Sequence, residues 1–442
     1  MFVCLSAAAA AVEPMVWSVN SRAEVLKGDA RGISIDDTGT MTLAPKLTEE
    51  FKTEQPYIWA STVDAAGSVY LGTGGDGKIF KVDKAGKGSL FADLAELNVS
   101  AVAIGGSGEL YAATSPDGKV YRIDAAGKAE VYFEPKEKYI WALAVLADGS
   151  LAVATGDNGK IFKVKAANAN PESSLLFDTS ESHIISLAAD KQGNLYAGTD
   201  SNGLVLRFGS DGKPFGLLDS PLREIHDLSI GPDGSVYALA IAESVAAKPA
   251  ETPAATTAES KTVTVEKASP LTPETPAKSK YDLSAAKSAV YRISTDGGTD
   301  LLWASPAVVG FAIHAHATGK GVLIGTSDKG RIYNVSNEGR ETLVLQTGAS
   351  QISTFASDGT SMFATSSNQG SLYRIQGSAA EGSYDSAVLD TKATSNFGRI
   401  WWRSSGNVAI QTRSGNTEKA DETWSQWSSP MTDRPTVLFV CV

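Results

Sequence analysis

Three residues in this chain could combine for acid–base or metal chemistry: His183, Glu224 and His226. Glu224 and His226 stand two apart, so on an extended strand their side chains face the same side. An imidazole beside a carboxylate is a minimal general acid–base pair. Adding His183 gives the donor types that hold a divalent metal. The same residues also suit a hydrogen-bonded structural pair with no catalytic part. His314 and His316 form a second His-x-His, but no third ligand stands near them in the sequence, and no metal site is assigned there. A different chemistry belongs to Tyr57, Trp59, Tyr139 and Trp141. Aromatic faces offer apolar area with little rotamer freedom to lose, which suits sugars and peptides. Their alternative use is packing between neighbouring sheets.

Other signatures are missing. There is no G-x-S-x-G to start Ser-His-Asp catalysis and no G-x-x-x-x-G-K-[ST] phosphate loop. The Gly-Asp-Gly and Asp-Asn-Gly turns lack the dense acidic spacing of a calcium loop and read as hairpin turns supplying positive φ. No catalytic residue is assigned with conviction, and no cofactor is implied.

The elements that position these residues form a repeat. Its clearest copy runs from Tyr139 to Val164, YIWALAVLADGSLAVATGDNGKIFKV. Three short runs rich in Val, Ile, Phe and Tyr are separated by Asp-Gly and Asp-Asn-Gly turns, the pattern of antiparallel strands. The glycine before the third strand recurs as Gly77, Gly118, Gly159, Gly203, Gly330 and Gly370, with Ser288 in its place in a damaged copy. Steps of 41, 41, 44, 85, 42 and 40 residues result. A third-strand aromatic recurs (Phe80, Tyr121, Phe162, Tyr291, Tyr333, Tyr373), usually followed by a basic residue. A second-strand threonine recurs as Thr73, Thr114, Thr155, Thr199, Thr326 and Thr365. A period near 41 residues with about four strands per copy predicts a seven-bladed β-propeller over residues 55–378. The basic column is read as a solvated or inter-blade pairing position rather than an anion-binding ring.

In such a ring the start of each first strand lines one mouth of the central channel. One column there reads Tyr57, Asn98, Tyr139, His183, Glu224; the next reads Trp59, Ser100, Trp141, Ile185, His226. The last two copies supply small or polar residues near Gly310 and Ala349. The ligand site is therefore placed at Tyr57, Trp59, Asn98, Tyr139, Trp141, His183, Glu224 and His226, converging on one concavity.

The flanks carry other signals. Residues 1–13 resemble the end of a secretory signal peptide, cleaved near Ala10 to Val12, which places the protein outside the cell or in a periplasm. Residues 15–54 contain a hairpin, GISIDDTGTMTLAP, that suits either closure of the ring or a separate sandwich with the C-terminal segment. Residues 244–286, rich in Pro, Ala, Thr, Glu and Lys, read as a disordered insertion between strands two and three of the fifth copy. Residues 379–430, with a Trp-rich end, read as a partial β-sandwich, and 431–442 as an apolar tail where the chain breaks off. Cys4 and Cys441 imply no disulfide framework. A formal net charge of −11 disfavours nucleic acid, and no apolar run is long enough for a transmembrane helix.

The copies YLGTGGDGKIFKV, LYAATSPDGKVYRI and VLIGTSDKGRIYNV resemble the repeats of exported bacterial β-propellers of the broad WD40-like, NHL-like and streptogramin-lyase-like group. The tail TRSGNTEKADETWSQWS is similar to a sandwich that follows such propellers. The resemblance implies the fold. It leaves two functions open: a non-enzymatic binding or scaffold protein for a glycan, peptide or protein, or a lyase or hydrolase using His183, Glu224 and His226 with a divalent metal.

Overall fold

The glycine before each third strand has a steric cause. The computed structural model describes residues 16–165, 171–243, 283–392, 395 and 398–432. In it Gly159 has φ +44° and Gly203 φ +60°. A Cβ at 159 would lie 2.3 Å from the carbonyl oxygen of Glu181, and one at 203 would lie 2.1 Å from that of Leu222. Those carbonyls belong to the segments that carry the chain into the next repeat. Only a residue without Cβ lets the turn between strands two and three press against that exit.

The threonine column clamps the same turn. Oγ1 of Thr73, Thr114, Thr155 and Thr326 donates to the carbonyls of Lys78, Lys119, Lys160 and Arg331 at 2.8, 3.2, 3.1 and 3.0 Å. Thr199 Oγ1 accepts from the Leu204 N–H at 3.0 Å. In the last copy the position belongs to Ser366, which accepts from the Ser371 N–H, and not to Thr365 as the sequence alignment has it. The fifth copy has Ala240 there, opposite Ile225, and it is the copy that carries the insertion.

Each repeat is a set of antiparallel strands. The third consists of Tyr139–Val145, Leu151–Gly156, Lys160–Lys165 and Glu172–Asp178. The fourth has His183–Ala189, Leu195–Asp200, Leu204–Phe208 and Pro214–Asp219. The fifth has Glu224–Ile230, Val236–Ile241, Ser288–Ile293 and Thr299–Ser305. First strands pack side by side in chain order from Tyr57–Val63 through Gln351–Ser357, and the last returns against the first. The result is an all-β propeller.

Closure comes from the N-terminal side. Lys46–Lys52 pairs with Ser371–Gln376 as the fourth strand of the last repeat. The expected closing hairpin, Ile33–Ile35 with Met41–Leu43, instead pairs through Ile35 with Leu343 and widens the sixth repeat. The closing seam is apolar: Ile58, Val69 and Leu71 of the first repeat bury against Ala356, Phe363 and Leu372 of the last. Similar clusters fill the other seams, such as Ala154, Ile161 and Ile184 between the third and fourth repeats. A lone four-stranded sheet cannot bury both faces, so these seams hold the ring.

The first strand carries a β-bulge in every repeat. Register slips leave Trp59, Ser100, Trp141, Ile185, His226, Phe311 and Ser353 without a cross-strand partner. Bulges re-aim side chains at rims. The column expected near Gly310 and Ala349 is thereby moved to Phe311 and Ser353.

The folded fifth repeat includes more of the expected insertion than its composition implies. Residues 244–282 lie outside the described residues, but Leu283 and Ala286 pack into the fourth–fifth seam. The Ala242 N–H bonds the Lys287 carbonyl at 3.0 Å. The expected signal peptide and the apolar tail from 433 also lie outside the described residues.

A second compact unit comprises, among the described residues, those of 16–29 and 384–432. It holds a short helix, Arg22–Val25, whose Val25 carbonyl accepts from Tyr384 Oη at 2.8 Å. Instead of two packed sheets, its described residues 398–432 form one loose hairpin. Ile410 pairs with Met431, and the N–H groups of Ser425 and Ser428 donate to Ser414 and Thr412. The Arg413 guanidinium lies 4.4 Å from the Trp427 ring centre. The strands expected at Arg399 to Arg403 and Val408 to Arg413 have no further ladder.

Candidate functional site

At the mouth, the last residue of three of the second strands is shared by two repeats. Gly74 lies opposite Tyr57 and Asn98, Gly156 opposite Tyr139 and His183, and Asp200 opposite His183 and Glu224. The columns expected from the sequence are therefore neighbours around one rim. They divide into three groups.

In the first group Tyr57 and Trp59 stack, with centroids 5.0 Å apart and planes at 12°. Both are exposed, at 38% and 43%. The indole lies across Gly74, where a Cβ would be 2.1 Å from Trp59 Nε1. Asn98 braces the neighbouring loop: Oδ1 accepts from the Gly75 N–H at 3.3 Å and Nδ2 donates to the Ser115 carbonyl at 3.1 Å.

The second group repeats this arrangement and adds a histidine. Tyr139 and Trp141 stack at 5.2 Å and 18°, and Lys138 Nζ sits 4.8 Å from the Tyr139 ring centre. Trp141 Nε1 donates to His183 Nδ1 at 3.1 Å, and the Asp157 N–H donates to the same nitrogen at 3.3 Å. A nitrogen that accepts twice carries no proton, so the neutral His183 ring has its hydrogen on Nε2. A Cβ on Gly156 would lie 2.3 Å from Trp141 Nε1 and 2.4 Å from His183 Nδ1. Glycine here leaves the indole and the imidazole room to meet.

The third group is a buried charge cluster. Glu224 has no solvent exposure, and its Oε1 lies 2.6 Å from His226 Nδ1. The His226 ring meets Phe311 edge-on at 6.0 Å. Burial works against a charged ring, but the Glu224 hydrogen bond and charge, Asp227 and the Phe311 backbone together hold its proton more tightly than usual. Next to it, burial pushes the Asp227 carboxyl up to about 6, against the opposing pull of N–H donation from Ile313 (2.9 Å) and Leu228 (2.8 Å). Asp227 thus ties the first strand of the fifth repeat to that of the sixth.

Two rim residues escaped the sequence reading. Asp200 is fully buried and accepts from Arg223 Nε at 2.8 Å. The signal was present: the residue after the column threonine is Gly74, Ser115 and Gly156 in the first three copies, and Asp200 in the fourth.

The triad proposed for metal chemistry is not assembled. His183 Nδ1 is used by Trp141 and Asp157, and His226 Nδ1 by Glu224. Among the described residues no group of three or more His, Cys, Asp and Glu is arranged to hold a metal ion. His314 and His316 gain no third ligand either. His316 Nε2 lies 2.7 Å from Asn334 Oδ1, and burial, with the neighbouring His316, makes His314 harder to protonate.

The fold has many solved relatives. A virginiamycin B lyase from Staphylococcus aureus aligns with a TM-score of 0.56 at 15% identity, covering 75% of this chain and 99% of its own. YCF48, solved bound to D1 peptide, aligns at 0.52 and 12% identity, covering 76% and 98%. A structure of the mitotic checkpoint complex contributes a chain at 0.54 and 11%, covering 76% and 95%. At such identities the likeness is one of fold, that of the WD40-like and streptogramin-lyase-like propellers. No family model and no curated protein matches the sequence. No helix among the described residues is long and apolar enough to cross a membrane.

Proposed function

We propose that this chain is an exported, non-enzymatic binding or scaffold propeller of seven blades, which takes a glycan, peptide or protein segment at its mouth. One observation carries the reading: two stacked Tyr–Trp pairs are held in place before any ligand arrives, each lying across a glycine whose Cβ would displace the indole. Preformed aromatic faces bind with little ordering cost. His183 Nε2–H and the Arg223 guanidinium supply donors on the same rim. YCF48, which shares the fold, was solved with a peptide, so the architecture accommodates such a ligand. The enzymatic alternative has less support, because among the described residues no group of three or more His, Cys, Asp and Glu is arranged to hold the metal ion it calls for.

The test is a double substitution, Trp59→Ala with Trp141→Ala, assayed on glycan and peptide arrays. Each truncated aromatic anchor is expected to cost about 2 kcal/mol or more, about thirtyfold in affinity. Full retention of whatever ligand the native protein selects, with the thermal melt unchanged, would remove the mouth as the site. Export rests on the N-terminal composition, and mass spectrometry of protein recovered from outside the cytoplasm tests it. A retained residue 1–9 segment would refute cleavage near Ala10 to Val12.

A further inference from the structure

The basic residue after the third-strand aromatic provides an internal control. In the first, third, fifth and seventh repeats an acid of the same repeat meets it. Lys81 lies 3.9 Å from Asp64, Lys163 2.7 Å from Asp148, Arg292 2.9 Å from Asp233 and Arg374 3.0 Å from Glu50. In the second, Arg122 pairs with Glu130. The sequence suggests a solvated or inter-blade pairing position; the pairing found is within repeats. The sixth repeat has Asn334 at this position.

The fourth repeat departs. The Arg207 side chain forms no ion pair or hydrogen bond with the described residues; its guanidinium lies 5.4 Å from the ring centre of Phe215. Asp190, placed in the turn where Asp64, Asp148 and Asp233 stand, is already occupied. Its Oδ1 accepts from the Asn194 N–H at 2.8 Å, and its Oδ2 from Asn194 Nδ2 at 2.6 Å and Tyr196 Oη at 3.1 Å. Phe215 is a second departure. It faces Arg207 across the strand pair, where other repeats have Ser89, Glu130, Ser174, Asp300 and Thr48. It is 58% exposed.

Both departures fall in one groove of about 840 Å³ between the fourth and fifth repeats. Its walls are turns joining strands one to two and three to four, so it opens on the face opposite the mouth. We propose that this groove is a second binding site, for a peptide segment in which a carboxylate neighbours an apolar side chain. The carboxylate takes the guanidinium fork of Arg207, which is suited to bidentate pairing. The apolar side chain covers Phe215. The acids around the groove set the limit on charge. Asp190 is held by Asn194 and Tyr196, Asp233 by Arg292, and Asp296 by the Gly298 N–H at 3.0 Å. They keep the surroundings negative, so a single carboxylate is held only by the short-range guanidinium contact and a polyanion is repelled.

The experiment is calorimetry on the full chain with the capped tripeptide acetyl-Phe-Asp-Leu-amide. The Asn analogue and 3-phenylpropionate serve as comparison ligands. Saturable binding is expected, weaker by about tenfold or more for the Asn analogue and for Arg207→Gln, which both lose the charged hydrogen bonds. Arg207→Lys should fall between, keeping the charge without the fork. Phe215→Ser, the residue type of other repeats, should weaken binding, and Trp59→Ala with Trp141→Ala should leave it unchanged. All of these side chains are at least partly exposed, and a thermal melt checks that the fold persists. Absence of saturable binding, or equal binding by Arg207→Gln, overturns the site. Binding of 3-phenylpropionate as tight as that of the peptide overturns the peptide as its occupant.

Discussion

Gly156→Ala should separate the stability of this protein from its recognition. The added methyl would sit 2.3 Å from Trp141 Nε1 and 2.4 Å from His183 Nδ1, both side-chain atoms at a partly exposed rim. They can swing away, so the backbone need not move. The loss is then one hydrogen bond, about 1 kcal/mol, and part of a ring stack, about 0.5–1.5 kcal/mol. Against this, alanine restricts the unfolded chain and returns about 0.4–1 kcal/mol. The net change is about 1 kcal/mol, so Tm should fall by no more than about 4 °C. Affinity should suffer more, because a displaced aromatic anchor costs about 2 kcal/mol or above. The structural readout is the 15N spectrum of His183. In the native protein Nδ1 is the unprotonated acceptor and Nε2 bears hydrogen; in the variant that preference should relax. A loss of several kcal/mol with the tautomer intact would mean that Gly156 serves the sheet rather than the indole. A relaxed tautomer with undiminished ligand affinity would refute the mouth as the site.

Three further outcomes are expected. Glu224→Ala leaves the His226 ring buried beside Phe311 without its carboxylate and should cost about 3 kcal/mol or more in urea unfolding; the double variant with His226→Phe should be less damaged than the single one. The Asp227 carboxyl, raised to about 6 from an unfolded value of 3.8, stabilises the protonated native state. Its contribution is present below pH 3.8 and is lost as pH rises to about 6. His226, also raised, acts in the same direction above pH 6.5. Melting curves between pH 4 and 7 should therefore fall more steeply for the native protein than for Asp227→Asn; the reverse order would contradict the assignment. Limited proteolysis should cut first between Ala247 and Lys280 while the ring stays associated, and resistance equal to that of the blades would mean a folded insertion.

The fold was legible because its restraints are local and recur. Glycine at 77, 118, 159, 203, 330 and 370 meets the same carbonyl-lined exit, and threonine beside it clamps the same turn, so a period survives where identity between copies does not. Strand boundaries and the shared mouth followed from the turns. The closing strand was harder to read. Lys46–Lys52 has no turn signal of its own beyond Ala44-Pro45, whereas the preceding hairpin resembles strands three and four of a repeat and drew the assignment. Pairing between residues more than 300 positions apart leaves no trace in local propensity. The C-terminal segment was legible only in part for a related reason: its Trp-rich alternation suits a strand, and among the described residues Arg413 and Trp427 meet across a loose hairpin.

The site was legible by residue type and column, but not by hydrogen bonding. Period two correctly placed Tyr57 with Trp59 and Glu224 with His226, although a bulge, not a flat strand, aims the second member of each pair. What a period cannot show is which nitrogen of His183 is taken, or that Asp200 lies buried between two histidine-bearing repeats. Those facts depend on contacts between copies. The copies themselves indicate where to look. A residue that obeys the repeat, like Lys163 on Asp148, is accounted for by the fold, because the same pair recurs wherever the blade does. A residue that leaves the repeat has no such account. Asp200 where the first three repeats have glycine or serine, Phe215 where other repeats have serine, threonine or an acid, and Arg207 without its acid all cluster in the fourth repeat, with His183 at one end and the Arg207 groove at the other. Those departures, at both ends of one blade, are the residues on which the two proposed sites draw.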